Sequence, residues 1–409
     1  MSTFLRRALY GILGLIALVL LLVIGVVVFL QFPAGQDFVA NKAQGYLRGK
    51  LKTEVRIGKF RTDFRHVINL DGVYVEDQQR DTLVAIGHLG VDLDIWALLH
   101  SQVNVSNIEL NDGRVRLTRT EPDSVNNYDF VINAFVDPTA PVDTTASTLK
   151  YDIGKARLTN IYFTQLDEVT GSDVRARIGE FTASMDEVNV DKSIYKVDNA
   201  ALHRAAISIV QTKTAPQVDN PAPSGPISVQ FGISHAALDS VQFVYKNAPS
   251  GQYISTNIGL ADITAKNIDL QKELVALDKL TLKNTTFAYA QNEAVPVAER
   301  VVNPAEAVRK LDEAADQNKA ATGQRLAWKV TLNESDISGL AVKFDNFNEP
   351  RQKTRLPAMD YNHLAFTDLV LNTHDLRYTE NRTTAQVDNL AGTPPFNTGP
   401  NQSVLVNGL

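Results

Sequence analysis

Between about residue 55 and residue 390 the apolar residues recur at every second position, and this period decides the fold class. Runs such as Val91-Asp92-Leu93-Asp94-Ile95, Val103-Asn104-Val105, Ile227-Ser228-Val229-Gln230-Phe231-Gly232-Ile233 and Val241-Gln242-Phe243 are apolar on one face and polar on the other. An amphipathic helix needs apolar spacings of three and four, whereas successive side chains of a strand leave on opposite faces. Gly, Asn, Asp and Pro bound the runs and supply the turns. Asp77 and Asp81, for example, flank an expected hairpin turn. The chain is therefore expected to be mainly β, in antiparallel units.

The units recur. Residues 155–209 lie on residues 235–289 with a constant shift of 80 and no gap, so that Leu158, Phe163, Gly171, Ile178, Gly179 and Leu202 meet Leu238, Phe243, Gly251, Ile258, Gly259 and Leu282. A motif of apolar-x-x-apolar-x-apolar appears as Leu70-Asp71-Gly72-Val73-Tyr74-Val75 and again as Ile337-Ser338-Gly339-Leu340-Ala341-Val342. Self-similarity of this kind marks a repeat architecture. Four β-units follow, at about 52–136, 149–214, 227–302 and 325–390. Linkers rich in Pro, Thr, Ser and Asp separate them at 137–148 and 215–226, and a loose tail runs over 391–409.

Two helical patterns interrupt the strands. The first occupies 33–51, with its regular part from about Gln36. Phe38, Tyr46, Leu47 and Leu51 are expected to share its apolar face, either packed on the first sheet as a cap or lying at a membrane interface. The second, over 303–320, opens on Asn303 with Pro304 at its first position and Glu306 completing a capping box.

Ahead of all this stands a segment of another kind. No charged side chain occurs from Ala8 to Phe32, and seventeen of the 22 residues from Leu9 to Leu30 are Leu, Ile, Val or Phe. As a helix rising about 1.5 Å per residue, such a run crosses a hydrocarbon core of about 30 Å. Arg6 and Arg7 precede it and Asp37 follows, so the positive-inside rule puts residues 1–7 in the cytoplasm and the bulk of the chain outside. A cleaved signal peptide would have an apolar core of about 7–15 residues, shorter than this one.

Other chemistries are excluded or unsupported. The net charge is −6 without a long basic run, which argues against nucleic acid as a partner. There are no cysteines, hence no disulfide scaffold and no thiolate chemistry. Zincin, P-loop, dinucleotide and nucleophile-elbow motifs are missing. The seven histidines are scattered, with no metal-ligand pair at helix spacing. Asp92 and Asp94 share a strand face that solvent explains. We expect no enzyme, catalytic residue, cofactor or metal.

The sharper question is what covers the apolar face, because a one-sided sheet must bury that side against something. Two helices cannot blanket so many strands. Either the sheets stack as tandem β-sandwiches, or one sheet curls into a trough whose lining meets an apolar guest. The pattern leaves both open.

A family likeness bears on the choice. The segment from Gln31 to Leu117 resembles the N-terminal part of the translocation and assembly module (TamB) family, within the AsmA-like group. The likeness is carried by a membrane helix with a Pro-Gly exit and by Tyr46-Leu47, Val55-Arg56-Ile57-Gly58, Gly72-Val73-Tyr74-Val75-Glu76-Asp77, Asp81-Thr82-Leu83, Val91-Asp92-Leu93-Asp94 and Ile108-Glu109-Leu110. Such proteins resemble bridge-like lipid-transfer proteins with an extended, curled, taco-like sheet. The resemblance implies an apolar groove that carries phospholipid from a bacterial inner membrane through the periplasm, in outer-membrane biogenesis. It also implies an alternative role as a scaffold for outer-membrane protein assembly beside an Omp85-type barrel. Family members are longer and carry a C-terminal domain, so the chain is expected to be a fragment of a longer product. The groove is expected to be lined by Val91, Leu93, Ile95, Val103, Val105, Val229, Phe231, Ile233, Val241 and Phe243. A tethered adhesin-like array of closed sandwiches is the remaining alternative.

Overall fold

The computed structural model describes residues 32–62, 67–93, 102–122, 124–135, 150–189, 193–214, 230–292, 328–349, 351, 360, 362–379, 382–393 and 404–406. The expected anchor at 8–32, save Phe32, lies outside these residues, as do Arg6 and Arg7, the linkers 137–148 and 215–226, and the helix at 303–320. Among the described residues no helix is long and apolar enough to cross a membrane. The chain divides into two compact units, Met1–Val115 with Asn127–Asp152, and Arg116–Asn126 with Ile153–Leu409.

The first unit begins with helix α1 (Pro33–Leu51), three residues earlier than the regular pattern at Gln36 suggested. Pro33 suits the first turn because its missing N–H is one the helix would leave unpaired there. Lys52, in the left-handed region at φ 54°, ends the helix by donating its N–H to Arg48 O at 2.9 Å. Strands β1 (Val55–Thr62), β2 (Val67–Glu76), β3 (Thr82–Leu93) and β4 (Gln102–Arg119) then pair in chain order, each antiparallel to the last. Direct partners keep like with like: Val55, Val75, Val84 and Val115 form one row, and Phe60, Leu70, Leu89 and Leu110 another. The hairpin between β2 and β3 is set by Asp77, only 2% exposed. Its Oδ1 accepts the N–H groups of Gln79 (3.0 Å) and Asp81 (2.9 Å), and its Oδ2 accepts from Asn127 Nδ2 at 3.1 Å. A short helix, α2 (Asp129–Phe135), packs lightly on α1.

α1 closes the outer edge of β1. Its Gln44 Oε1 accepts the Ile57 N–H at 2.9 Å and its Arg48 Nε donates to Val55 O at 2.9 Å. Backbone groups that an edge strand would offer to a passing chain are thereby occupied.

The second unit is one sheet of β5 (Lys150–Asp167), β6 (Ser172–Asn189), β7 (Ile194–Gln211), β8 (Gln230–Asn247), β9 (Gln252–Asp269), β10 (Leu274–Lys283), β11 (Thr286–Gln291), β12 (Lys329–Asn346), β13 (His363–Thr379), β14 (Arg382–Thr393) and β15 (Val404–Val406). They lie side by side in chain order, with β10 and β11 sharing one lane between β9 and β12. Tandem sandwiches would need a second sheet, and the described strands of each unit belong to one sheet only. β5, β6 and β7 recur as β8, β9 and the β10–β11 lane with every outer boundary moved by 80 residues; Lys150 becomes Gln230 and Gln211 becomes Gln291.

Strands within a repeat are antiparallel, but the repeats join in parallel: Ile194 lies beside Gln230, Gln211 beside Asn247, and Thr286 beside Ala341. An odd number of strands leaves the third running in the direction of the first. The next repeat therefore starts alongside it in the same sense. The same hydrogen bond marks both joins, Ala248 N–H to Gln211 O and Phe347 N–H to Gln291 O, each at 2.9 Å.

Five lanes of the second unit carry a left-handed residue along one line, the phase line. Asn160, Arg204, Ser240, Asn284 and Gly339 all have left-handed φ, from 50° to 62°, and each is the eleventh residue of its lane. Direct partners place Gly179 opposite Asn160 and Arg204, and Gly259 opposite Ser240 and Asn284. A left-handed residue within a strand turns the backbone locally and re-aims the side chains beyond it, here without a change of register at Asn160, Arg204 or Ser240. This explains two spacer residues, rather than one, inside the motif apolar-x-x-apolar: the third position is the left-handed one. Gly72 (φ 66°) holds it in the first unit and Gly339 (φ 62°) in β12.

Candidate functional site

The candidate site is the apolar face of the second unit. Partner by partner, Leu158, Phe181, Leu202, Leu238, Ala261, Leu282, Ile337, Leu371 and Leu390 form one unbroken row on one side of the phase line. On its other side Phe163, Ala176, Ile207, Phe243, Thr256, Phe287, Val342 and Phe366 form a second. Neither row holds a charge. The sheet builds these rows because the repeat keeps apolar letters in phase across parallel and antiparallel pairs alike.

Among the described residues no second layer covers this face. Small residues such as Ala183, Ala205, Val241 and Ala261 are buried under their neighbours, while most of the large Leu, Ile and Phe side chains are partly exposed, Phe287 to 40%. From β6 onward the contacts of each described strand run to its neighbours in the sheet, not to a second layer. Tyr289 and Phe344 stack with centroids 5.4 Å apart and, with Phe287, line a hollow of about 380 Å³. Polar groups here are satisfied: Thr256 Oγ1, in the second row, donates to Thr286 O at 2.8 Å, and beside the first row Ser335 and Thr373 share a hydroxyl–hydroxyl bond of 2.7 Å, with Ser335 Oγ accepting the Thr373 N–H at 3.1 Å.

The opposite face carries charge. Arg157 pairs with Glu180 at 2.9 Å, Lys279 with Glu334 at 2.6 Å, and Arg177 lies over the Tyr162 ring. Each of the four described histidines of this unit meets an aspartate on an adjacent strand: His203 with Asp239 (3.5 Å), His235 with Asp262 (3.0 Å), His363 with Asp345 (3.0 Å) and His374 with Asp388 (2.7 Å). Asp345 is 2% exposed. Burial pushes its carboxyl up, but hydrogen bonds from His363 and Lys343 and the charges of Lys343 and Arg351 outweigh this and hold it below the ordinary range. The Asp388 carboxylate, then the Gln386 amide, raise His374 above its usual value. No group of acidic or histidine side chains among the described residues is arranged to hold a metal.

The expected lining residues separate. Phe243 falls in the second row, and Val241, two residues before it, pairs with Ala205 and Ile258 and is buried at 5% exposure. In the first unit Val91 partners Ile68 and Ile108, and Leu93 partners the buried Val105. Val103 lies in β4. Ile95 and Val229 are outside the described residues. Phe231 and Ile233 differ. The pairing of β8 with β9 starts only at His235, so these two residues lie beyond it, paired with Tyr195 and Val197 of β7. They line a mixed cleft of about 590 Å³ together with Lys196, Asp198, Lys266 and Asp269. Alternation alone could not show where β9 stops following β8.

α1 also departs from expectation. Leu51 is buried and Leu47 partly so, but Phe38 is 53% and Tyr46 59% exposed. At 100° per residue Gln36, Ala40, Ala43, Gln44, Leu47 and Leu51 form the face turned to β1, and Phe38 and Tyr46 fall on the other side.

Comparison with protein-family models gives no match, and comparison with curated proteins gives none.

Proposed function

We propose that this face binds lipid acyl chains and that the protein is a membrane-anchored conduit for phospholipid between the two membranes of a bacterial envelope. The observation that carries the reading is the pair of charge-free rows, running from β5 to β14 and from β5 to β13, with most of their large side chains partly exposed. A soluble sheet normally covers such a surface, because contiguous exposed apolar patches beyond a few hundred Å² mark interaction sites. Each acyl methylene withdrawn from water gains about 0.8 kcal/mol. A face of Leu, Ile, Val and Phe offers a lipid what the bilayer offers, so the lipid can enter and also leave. In this reading the sheet curls around its guest as a trough, and the 8–32 segment roots it in the inner membrane.

The test is direct. Phospholipid should co-purify with gently extracted protein and be seen by native mass spectrometry. Phe243→Asp with Phe287→Asp puts carboxylates among acyl chains, where an unpaired charge costs several kcal/mol. The double variant should lose bound lipid and vesicle-to-vesicle transfer while keeping its β circular dichroism. Transfer at the original rate would refute the conduit.

A second reading, as a scaffold in outer-membrane protein assembly, is favoured by the far edge of the sheet. β15 pairs β14 only at Leu390, Ala391 and Gly392, so the rest of β14 is open among the described residues to an added strand. Crosslinks from residues 384–388 to a barrel protein, without bound lipid, would select it.

A further inference from the structure

We propose that the outward stripe of α1, formed by Phe38, Lys42 and Tyr46, rests on the phospholipid surface of a membrane. These residues are spaced by four and so stand above one another on a helix. They lie opposite the face that Ala40, Leu47 and Leu51 turn to β1. Phe38 and Tyr46 are 53% and 59% exposed, Phe32 just ahead of the helix is 59% exposed, and the Lys42 ammonium sits 5.6 Å over the Phe38 ring. Beside the stripe Gly45 and Gly49 leave the helix surface low, with nothing within 4 Å of where a Cβ would stand. A tyrosine and phenylalanines beside a lysine are the chemistry of a bilayer interface: the rings enter the headgroup level and the ammonium meets lipid phosphate. Two further observations point to the same occupant. The stripe begins six residues after the apolar run that ends at Phe32, and the other side of the helix is committed to the backbone of β1. α1 is thus a saddle between lipid surface and sheet edge, presenting the first strand of the sheet at the membrane. The inference rests on the membrane-anchored reading given above.

Depth-dependent fluorescence quenching tests it on the full chain, with Trp96→Phe and Trp328→Phe to remove the native indoles. Tyr46→Trp and, separately, Asp37→Trp are reconstituted in phosphatidylcholine–phosphatidylglycerol vesicles whose acyl chains carry bromine near the headgroup or near the midplane. Asp37 is nearer the apolar run but off the stripe. We expect shallow bromines to quench Tyr46→Trp at least about twofold more than Asp37→Trp. Lys42→Glu should reduce that quenching. Phe38→Trp reads the same stripe should Tyr46→Trp fold poorly. Equal quenching at both positions, or stronger quenching at 37, would mean mere proximity to the anchor and overturns the proposal. So does an indole shielded from iodide yet untouched by brominated lipid, which would mean a protein partner. Lipid transfer measured on the same vesicles keeps the readings apart. Quenching without transfer removes the conduit and leaves the saddle; transfer without quenching does the reverse.

Discussion

Gly259 sits where two strands come closest along the phase line, and replacing it with Ala tests whether that line holds the sheet together. A Cβ there would stand 2.6 Å from Asn284 O, 2.8 Å from Lys283 O and 2.9 Å from Asn284 Cβ, against an ordinary contact of at least 3.4 Å. The nearest obstacles are backbone, so the β10–β11 lane must retreat by most of an ångström. Overpacking of this kind costs about 1–3 kcal/mol. The Gly259 N–H to Asn284 O bond of 3.1 Å stretches with it, at about 1 kcal/mol. The stiffer unfolded chain returns about 0.4–1 kcal/mol. The net loss is about 2 kcal/mol, or roughly thirtyfold in the opening equilibrium. Gly232→Ala is the control, because its Cβ would meet nothing nearer than 4.0 Å and only the gain applies. A long sheet opens in parts rather than all at once, so the assay is hydrogen exchange by mass spectrometry on peptides covering 255–262 and 280–288. Gly259→Ala should exchange there about thirtyfold faster than wild type, and Gly232→Ala no faster. Equal protection in the two variants would refute the packing argument for the line.

Three further outcomes follow from the geometry. Asp345→Asn takes the carboxylate from His363, Lys343 and Arg351 and should weaken the β12–β13 hairpin by about 1–3 kcal/mol in hydrogen exchange. Because the folded carboxyl lies below its ordinary 3.8, its contribution is complete above that pH and is lost as pH falls through the lower folded value. Protection of this hairpin should therefore stay level from pH 8 to 5 and drop only under about pH 4, and Asp345→Asn should abolish the drop. His374 has both ring nitrogens against acceptors, Asp388 Oδ2 and Gln386 Oε1, each at 2.7 Å, which suits the protonated ring. Its folded value is raised, so this link between β13 and β14 is present below 6.5 and fades as pH rises through the raised value; Asp388→Asn should bring the imidazole NMR midpoint back toward 6.5. Gly45→Ala in α1 meets open space and should stabilise the helix by up to about 1 kcal/mol, read as a higher melting temperature of the helical signal.

What the sequence disclosed, it disclosed through period. Alternation is local, so the runs around Val91 and Val241 read as strands, and the shift of 80 aligned Gly179 with Gly259 before their shared place was visible. Strand direction is not local. The letters of β7 and β8 would look the same whether Ile194 lay beside Gln230 or Asn247. The phase line was legible only as an odd spacing in the motif, because left-handed backbone usually announces itself by glycine and here falls on Arg204 and Ser240 as well. The pairs of His203 with Asp239 and His374 with Asp388 join residues far apart in the chain, and no spacing rule reaches them. On α1 the aromatics Phe38 and Tyr46 were assigned by their chemistry to a face that the 100° turn gives instead to Ala40 and Gln44.

The parallel joins have a consequence for anything that slides over the apolar rows. Because each repeat restarts in the same sense, Leu158 and Leu238, or Phe163 and Phe243, hold equivalent places in strands of the same direction three strands apart, about 14–15 Å at strand spacing. One leaflet of a bilayer's hydrocarbon has about the same depth, half of roughly 30 Å. An extended acyl chain lying across the strands would span about one full period wherever it stopped. A step of one strand would surrender at its tail about the kind of contact it gained at its tip, so its energy would stay nearly level along the path.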